Sequence, residues 1–390
     1  MKDETRLIHS ARGSADADGI VNMPVHRAST VLYTDTASYV SRFDGDRRYT
    51  DVTYGATGTA NARALGRAVA ELENGYATMI TATGLSAVTM AVSAVLSAGD
   101  HVLVTDSVYG PTRRFCSETL ARWGVESTYF DPMLGGDIDA LIQPNTRLLF
   151  TEAPGSLTFE MQDIPALTAA AKARGVLVAM DNTWATPLYF KPLDHGVDIS
   201  IQAGTKYFAG HSDLVIGMVT AKDRDLYHQI ADHVMTFGDM ASPDDCFLTL
   251  RGLRTMAVRL ERQQASALRV ARWLEARSEV KRVLYPPLES DPGHALWKRD
   301  FGGGASLFGV EMHTTDYEAV CRMVDGMTFF GIGSSWGGYE SLVALNRMPI
   351  PRDVATWPDT PFLLRFHIGL EDADDLIADL EAGFDRLAGA

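Results

Sequence analysis

Four short stretches of the sequence carry residues whose types and neighbours suit chemistry. Gln202-Ala-Gly-Thr-Lys-Tyr-Phe-Ala-Gly-His-Ser-Asp213 holds one lysine, Lys206, just after the alternating apolar run Val197-Asp-Ile-Ser-Ile201. A lysine at the end of a buried strand is costly to keep charged, so burial lowers its pKa and makes the amine a better nucleophile and base. Schiff-base formation with a carbonyl, the aldehyde of pyridoxal phosphate among them, uses such an amine. On this segment alone, an exposed turn marked by its glycines is the simpler account of Lys206. Asp181 closes the run Gly175-Val-Leu-Val-Ala-Met180. A carboxylate there can keep a pyridine nitrogen protonated and turn the ring into an electron sink; a helix or turn cap is an equally adequate local use. Thr83-Gly84-Leu85-Ser86 opens a helix after an apolar run and offers N–H groups and the positive helix end to a phosphate, although small residues open many helices. Tyr109, in Asp-Ser-Val-Tyr-Gly-Pro-Thr, can lie flat over an aromatic cofactor.

These residues need a scaffold that brings them together. Short apolar runs alternate with helical stretches: His101–Thr105 before a Tyr-Gly-Pro turn and a helix around Thr112–Trp123, Arg147–Thr151 before the helix Ile164–Arg174, then Gly175–Met180 and Asp198–Gln202. Such alternation predicts parallel βαβ units in a sheet covered on both faces. Ligands of such sheets collect at the carboxyl ends of the strands, where Asp181, Tyr109 and Lys206 all fall. The uncharged window Tyr76–Gly99 is interrupted by threonines and serines and reads as a buried strand and helix, not a membrane span. Cys246–Glu275 reads as one long helix whose Arg251, Arg254, Arg259 and Arg262 form a solvated face. Ala305–Met312 and Leu363–Ile368 read as strands, and Ala373–Leu387 as a final helix with acids in its first turn. The first sixty or so residues show little periodicity.

With 390 residues, 46% of them hydrophobic, the chain can bury a large core and is expected to divide into two domains. The formal net charge of -15 argues against nucleic acid and anionic membrane as partners, since both are polyanions. Cys116, Cys246 and Cys321 are too few and too scattered for a disulfide framework or a zinc site, as suits a reducing cytosol. Each reads as a small buried hydrophobe. The N-terminal Met-Lys-Asp-Glu-Thr-Arg lacks the apolar core of a secretory signal, so the expected location is cytoplasmic.

Taken in order, the motifs resemble the pyridoxal-phosphate enzymes of cysteine and methionine metabolism, the transsulfuration family, and within it the bacterial cystathionine β-lyases. The resemblance runs from Pro24-Val-His-Arg-Ala-Ser-Thr30 to Ile368-Gly-Leu-Glu-Asp372, and is most specific in AMDNTWATPLYF, SIQAGTKYFAGHSDLVIG and SSWGGYESL. It displaces the exposed-turn account of Lys206. It implies an α/β fold of the aspartate-aminotransferase-like kind (fold type I), with a mostly parallel central sheet. An arm over residues 1–60 would contact a neighbouring subunit, a large cofactor domain would span 61–245, and a linking helix with a smaller α+β C-terminal domain would span 246–390.

Carried over residue by residue, the resemblance makes Lys206 the Schiff-base lysine and catalytic acid–base, Asp181 the partner of the pyridine nitrogen, and Tyr109 the ring-stacking group that assists proton transfer. Gly84, Leu85 and Thr205 would hold the phosphate, and Tyr54 would reach the phosphate of the neighbouring subunit. Arg365 would clamp the substrate α-carboxylate, a task that suits a bidentate guanidinium. Trp336, beside Ser335, sits where the β-acting members carry tryptophan and γ-acting members commonly carry leucine. Two positions depart from the family pattern. The arm reads Tyr54-Gly-Ala-Thr-Gly-Thr-Ala-Asn61, with Ala56 where an arginine often serves the adjacent subunit's phosphate, and Arg47, Arg48 and Arg63 are the nearby cations that could replace it. Ser334 stands where an aromatic residue is usual and would widen the distal part of the pocket. The expected activity is β-elimination of L-cystathionine, or a related S-substituted cysteine, to a thiol such as homocysteine plus pyruvate and ammonia. The alternative is a γ-lyase or γ-replacement enzyme acting on another sulfur or O-acyl amino acid. Small-molecule amino acids are the expected partners, and the expected assembly is a homotetramer of dimers with shared sites.

Overall fold

The computed structural model describes residues 1–11, 19–348, 350–354 and 360–389. The portions of the expected arm and C-terminal domain at 12–18, 349, 355–359 and 390 lie outside the described residues. Seven strands form one sheet in the order β1 (Ala77–Thr81), β7 (Gly217–Ala221), β6 (Ile199–Gln202), β5 (Leu177–Asp181), β4 (Thr146–Glu152), β2 (His101–Thr105), β3 (Glu126–Phe130). Pairings from β6 through β3 are parallel, and β7 alone runs antiparallel to both of its neighbours. All strands except β7 therefore end along the same edge of the sheet.

The strands read as near-continuous apolar runs because both faces are covered. Every residue of β2 and β7 is buried, and separate apolar clusters occupy the two sides. The expected strand and helix within Tyr76–Gly99 are β1 and Gly84–Ala94. The helix expected around Thr112–Trp123 begins at Gly110 and widens into a π turn at Phe115–Leu120. Among the described residues no helix is long and apolar enough to cross a membrane.

A second sheet has the order β10 (Gly331–Ile332), β11 (Leu342–Arg347), β12 (Phe362–His367), β9 (Leu307–Met312), β8 (Val280–Leu284). It is antiparallel apart from the short β10–β11 pair. Helices Tyr317–Asp325 and Ala373–Leu387 accompany it, and the latter keeps the expected bounds, with Asp372 capping its first turn. Cys116 and Cys246 are buried, and Cys321 is half-buried.

The helix expected over Cys246–Glu275 is in fact two, Pro243–Leu253 and Met256–Glu275. Arg259 is the physical reason. It is buried, not on a solvated face, and its Nη2 donates to Tyr207 O at 2.8 Å and to Gly252 O at 2.9 Å. The Gly252 carbonyl thus turns to the guanidinium and to Thr255 instead of continuing the ladder. Gly210, at φ +68°, has space for this arginine only because it lacks a Cβ, which would lie 2.1 Å from Nη1. Arg254 also departs from the expected face, being half-buried and donating to Leu7 O. Arg251 and Arg262 are exposed as expected.

Candidate active site

A cavity of about 280 Å³ opens where the strand ends of the large sheet meet the small one. Its lining includes Gly84, Leu85, Tyr109, Asp181, Thr205, Lys206, Trp336 and Arg365, so the fold gathers eight of the ten residues singled out from the sequence. Ser335 joins through Lys206, whose Nζ donates to its Oγ at 2.7 Å. Tyr54 does not join. It lies in the segment expected to form the arm, half exposed, outside the cavity lining of its own chain.

Each group has a local reason for its place. Asp181 is the last residue of β5 and Lys206 lies four residues beyond β6, which pairs with β5 in parallel. Burial pushes the Lys206 amine down to about 8; the Arg365 charge adds to this, and Asp181 opposes it. The Trp336 ring centre is 5.1 Å from the same amine. Asp181 Oδ1 accepts from the Thr183 N–H at 3.0 Å and the Thr183 hydroxyl at 2.6 Å. Burial raises its pKa against the lowering effect of those bonds and of Lys206.

Sequence reasoning missed Glu152. It ends β4 in register with Asp181, and the two carboxylates stand abreast at the cavity wall. Burial first, and Asp181 next, raise the Glu152 pKa well above its ordinary value. Its Oε2 accepts the Tyr109 N–H at 2.8 Å, which fixes the backbone that presents the tyrosine. An acid directly after an apolar run was the available signal, the same one that marked Asp181. Burial, then Glu152 and Asp181, raise the Tyr109 phenol, so it stays protonated and able to donate.

Arg365 Nη2 donates only to loop carbonyls: Ser334 O at 2.7 Å, Ser335 O at 3.2 Å and Gly333 O at 3.3 Å. Among the described residues no carboxylate pairs with it, which leaves the guanidinium able to bind an anionic substrate group.

The residues fit pyridoxal phosphate at both ends. Thr83 and Ser86 form a reciprocal capping box that uses the Thr83 and Ser86 N–H groups. The N–H groups of Gly84 and Leu85 have no acceptor among the described residues, and they sit at the positive end of an eleven-residue helix beside the cavity. A Cβ on Gly84 would lie 2.5 Å from Ala203 Cβ, so glycine lets this helix start press against the segment that carries Lys206. At the other end, Asp181 Oδ2 takes no hydrogen bond among the described residues, and a protonated pyridine nitrogen there would offset the cost of the buried charge. Thr205 is the exception: its hydroxyl donates to Ile216 O at 3.1 Å and accepts the Ile216 N–H at 2.9 Å, and it must turn from that carbonyl to meet a phosphate.

The three arginines considered as substitutes for the charge missing at Ala56 are engaged elsewhere. Arg48 pairs with Asp232 at 3.1 Å, Arg47 lies 3.7 Å from Asp51, and half-buried Arg63 donates to Thr57 O at 3.0 Å. None of them lines this cavity. A larger hollow of about 480 Å³ beside the arm is lined by Arg63, Arg67, Tyr49 and His228, but it contains no lysine and none of the strand-end acids described above.

Sequence comparison decides the family. The Cys/Met metabolism PLP-dependent enzyme family matches residues 4–385. The chain belongs to that family. It is therefore a pyridoxal-phosphate-dependent enzyme of fold type I. It is 47% identical to a Rhizobium johnstonii protein provisionally named cystathionine β-lyase, over 97% of this chain and 95% of the relative. It is 39% identical to the Escherichia coli cystathionine β-lyase MetC, over 99% of both chains. A solved structure of cystathionine γ-synthase from Xanthomonas oryzae superposes with a TM-score of 0.90 at 33% identity, covering 100% of this chain and 99% of the other.

Proposed function

We propose that this family member is a carbon–sulfur lyase that cleaves the Cβ–S bond of L-cystathionine, or of a closely related S-substituted cysteine. The observation that carries the reading is the pairing of a guanidinium without a carboxylate partner among the described residues, Arg365, with a Lys206 amine lowered to about 8 and 5.1 Å from the Trp336 ring centre. The relatives named as β-lyases agree with it.

Arg365 binds the substrate α-carboxylate through its fork and so sets the Cα–H bond before Lys206. Pyridoxal phosphate, held by Lys206, Asp181 and the helix start at Gly84 and Leu85, would supply an electron-accepting ring for the charge that develops at Cα. Lys206 Nζ takes the Cα proton, and Asp181 would hold its negative charge beside the pyridine nitrogen and keep that nitrogen protonated. The Cβ–S bond breaks with its electron pair on sulfur, and Lys206 or Tyr109 protonates the departing thiolate. Water then hydrolyses the remaining three-carbon fragment to pyruvate and ammonia. One amine serves first as base and then as acid, which works best when its pKa lies near the working pH.

A γ-acting specificity is the second reading. The close superposition on a γ-synthase and the small, exposed Ser334 at the cavity rim favour it. Tyr54, half exposed and outside its own chain's cavity, fits a site shared between two subunits, and we further propose a homotetramer of such dimers in the cytoplasm. The test is a product assay on the purified, cofactor-loaded protein given L-cystathionine. Pyruvate with one equivalent of homocysteine is expected; 2-oxobutyrate with cysteine would replace the β-reading by the γ-reading, and no turnover would remove cystathionine as substrate.

A further inference from the structure

Strand β12 presents Arg365 and His367 two residues apart, hence on the same face. Both meet the loop 333–338, at opposite ends. Arg365 holds the carbonyls of Gly333, Ser334 and Ser335, and His367 Nε2 accepts the Gly337 N–H at 3.2 Å. The ring proton is then on Nδ1 and is donated to Ser306 Oγ at 3.1 Å. Gly338 O also lies 3.2 Å from Nε2, but has its own donor in Gln263 Nε2 at 2.7 Å. Ser306 completes the link: its N–H donates to the Tyr207 hydroxyl at 3.1 Å, and its Oγ is 3.2 Å from that hydroxyl. Tyr207 is the residue after Lys206. Gly337 in turn lies on the lysine itself, where a Cβ would come within 2.9 Å of the Lys206 Cα. The contacts thus close a ring: Lys206, Tyr207, Ser306, His367, Gly337 and back to Lys206.

We propose that His367 is a positioning residue that holds the loop 333–338 on Lys206 as a neutral Nδ1–H imidazole, so that Ser335 and Trp336 keep the amine in its desolvated setting. The ring is 1% exposed, and the titratable groups that face it are Tyr207, Lys206 and Arg365. Burial lowers the imidazole to about 4 against the raising effect of the Gly338 carbonyl, with the Arg365 and Lys206 charges adding to the fall, so it remains neutral across the working range. The role grows when substrate binds. A carboxylate that engages Arg365 competes with the loop carbonyls for its N–H groups, and His367 then carries the loop. This last step rests on the proposed role of Arg365; the effect on Lys206 does not.

The test uses three full-length variants. His367→Leu removes both ring contacts. His367→Gln places an amide near the Nε2 position and can still meet Gly337 and Gly338, whereas His367→Asn reaches only toward Ser306. The first readout is the pH dependence of Lys206 acetylation in the cofactor-free chain, followed by mass spectrometry. Wild type is expected to titrate near 8; Leu and Asn should move the midpoint up by about one unit or more toward an ordinary lysine, while Gln stays near wild type. The second readout is substrate KM of the loaded enzyme, expected to rise about tenfold in the Leu and Asn variants, as for loss of one hydrogen bond in a buried setting, and to recover in Gln. A folded His367→Leu protein with an unchanged Lys206 midpoint overturns the proposal. So does rescue by Asn equal to that by Gln, a comparison that decides the matter even if the leucine variant does not fold. Failure of the lyase reading would remove the KM effect and leave the acetylation result standing.

Discussion

The two walls of the cavity are built on different principles. The wall from the large sheet consists of strand ends: Glu152 and Asp181 are the last residues of neighbouring strands in register, and Lys206 follows the next strand. Its geometry is inherited from backbone pairing buried on both faces, so little local support is needed. The opposite wall is a loop, with exposed Ser334 and Ser335 and half-buried Trp336, and it is held by side chains from β12 and by Lys206 itself. The strand-end wall carries Asp181 and Lys206, the groups proposed to act on the cofactor. The loop wall, tethered and not woven, is where specificity can change without loss of the fold.

The largest expected effect falls on the strand-end wall. Lys206→Ala should lower turnover by more than about 10³-fold, since it removes both the nucleophilic amine and the acid–base group; steady-state kinetics on the folded variant measures it, and residual activity within tenfold of wild type would refute the assignment. Asp181→Asn keeps the shape and removes the charge, and should cost about 10²–10³-fold in kcat, as for other fixed electrostatic partners of a reacting group. Across the cavity, Arg365→Lys keeps the charge and loses the fork, so a fall of about 10–100-fold in kcat/KM, mostly through KM, is expected. An equal fall in kcat with KM unchanged would move Arg365 from carboxylate binding to loop support alone.

A smaller effect is expected in the arm. With Arg47, Arg48 and Arg63 engaged elsewhere, Ala56→Arg should tighten pyridoxal-phosphate binding by about tenfold or more, the value of one charge-assisted contact. Equilibrium dialysis against the cofactor reads this directly, and an unchanged affinity would show that the phosphate already has its cation. Glu152 and Asp181 are half-buried at the cavity wall; the control for that strand-end wall is Glu73, which is fully buried and lines none of the cavities described above. Its Oε1 accepts from Gln202 Nε2 at 2.9 Å and Ser200 Oγ at 3.0 Å, and burial raises it to about 7. The folded state therefore binds an extra proton between the ordinary glutamate range and pH 7, and stability is lost as pH rises through that window. Glu73→Gln keeps both hydrogen bonds without the charge. It should raise stability above pH 7 by at most about 3 kcal/mol, add nothing below pH 4, and leave kcat/KM within about twofold, as read by denaturant unfolding at several pH values and by kinetics.

The contrast between Asp181 and Glu73 also shows what could be read from residues alone. Asp181 announced itself by following an apolar strand. Glu73 sits at the end of an ordinary amphipathic helix, and its burial appears only once that helix packs on β1 and β7 and the side chain meets Ser200 and Gln202 of β6. Glu152 carries the same local signal as Asp181, but nothing in a linear sequence states that these two strand ends lie side by side. Arg259 erred in the other direction: on a helix with several arginines it looked solvated, yet it fills the gap where two helices divide.

The sequence by itself determined the alternation of strands and helices, the placement of Asp181, Tyr109 and Lys206 at strand ends, and, through long motifs in a fixed order, the family and its cofactor. These are properties of local patterning and of order along the chain. The tertiary structure decided which groups meet. It set Glu152 beside Asp181, turned Arg365 toward a loop some thirty residues earlier, kept Tyr54 outside its own chain's cavity, and laid Gly337 on Lys206. Such contacts depend on strand order and on the docking of one sheet against another, and the energies that choose them are summed over side chains far apart in sequence.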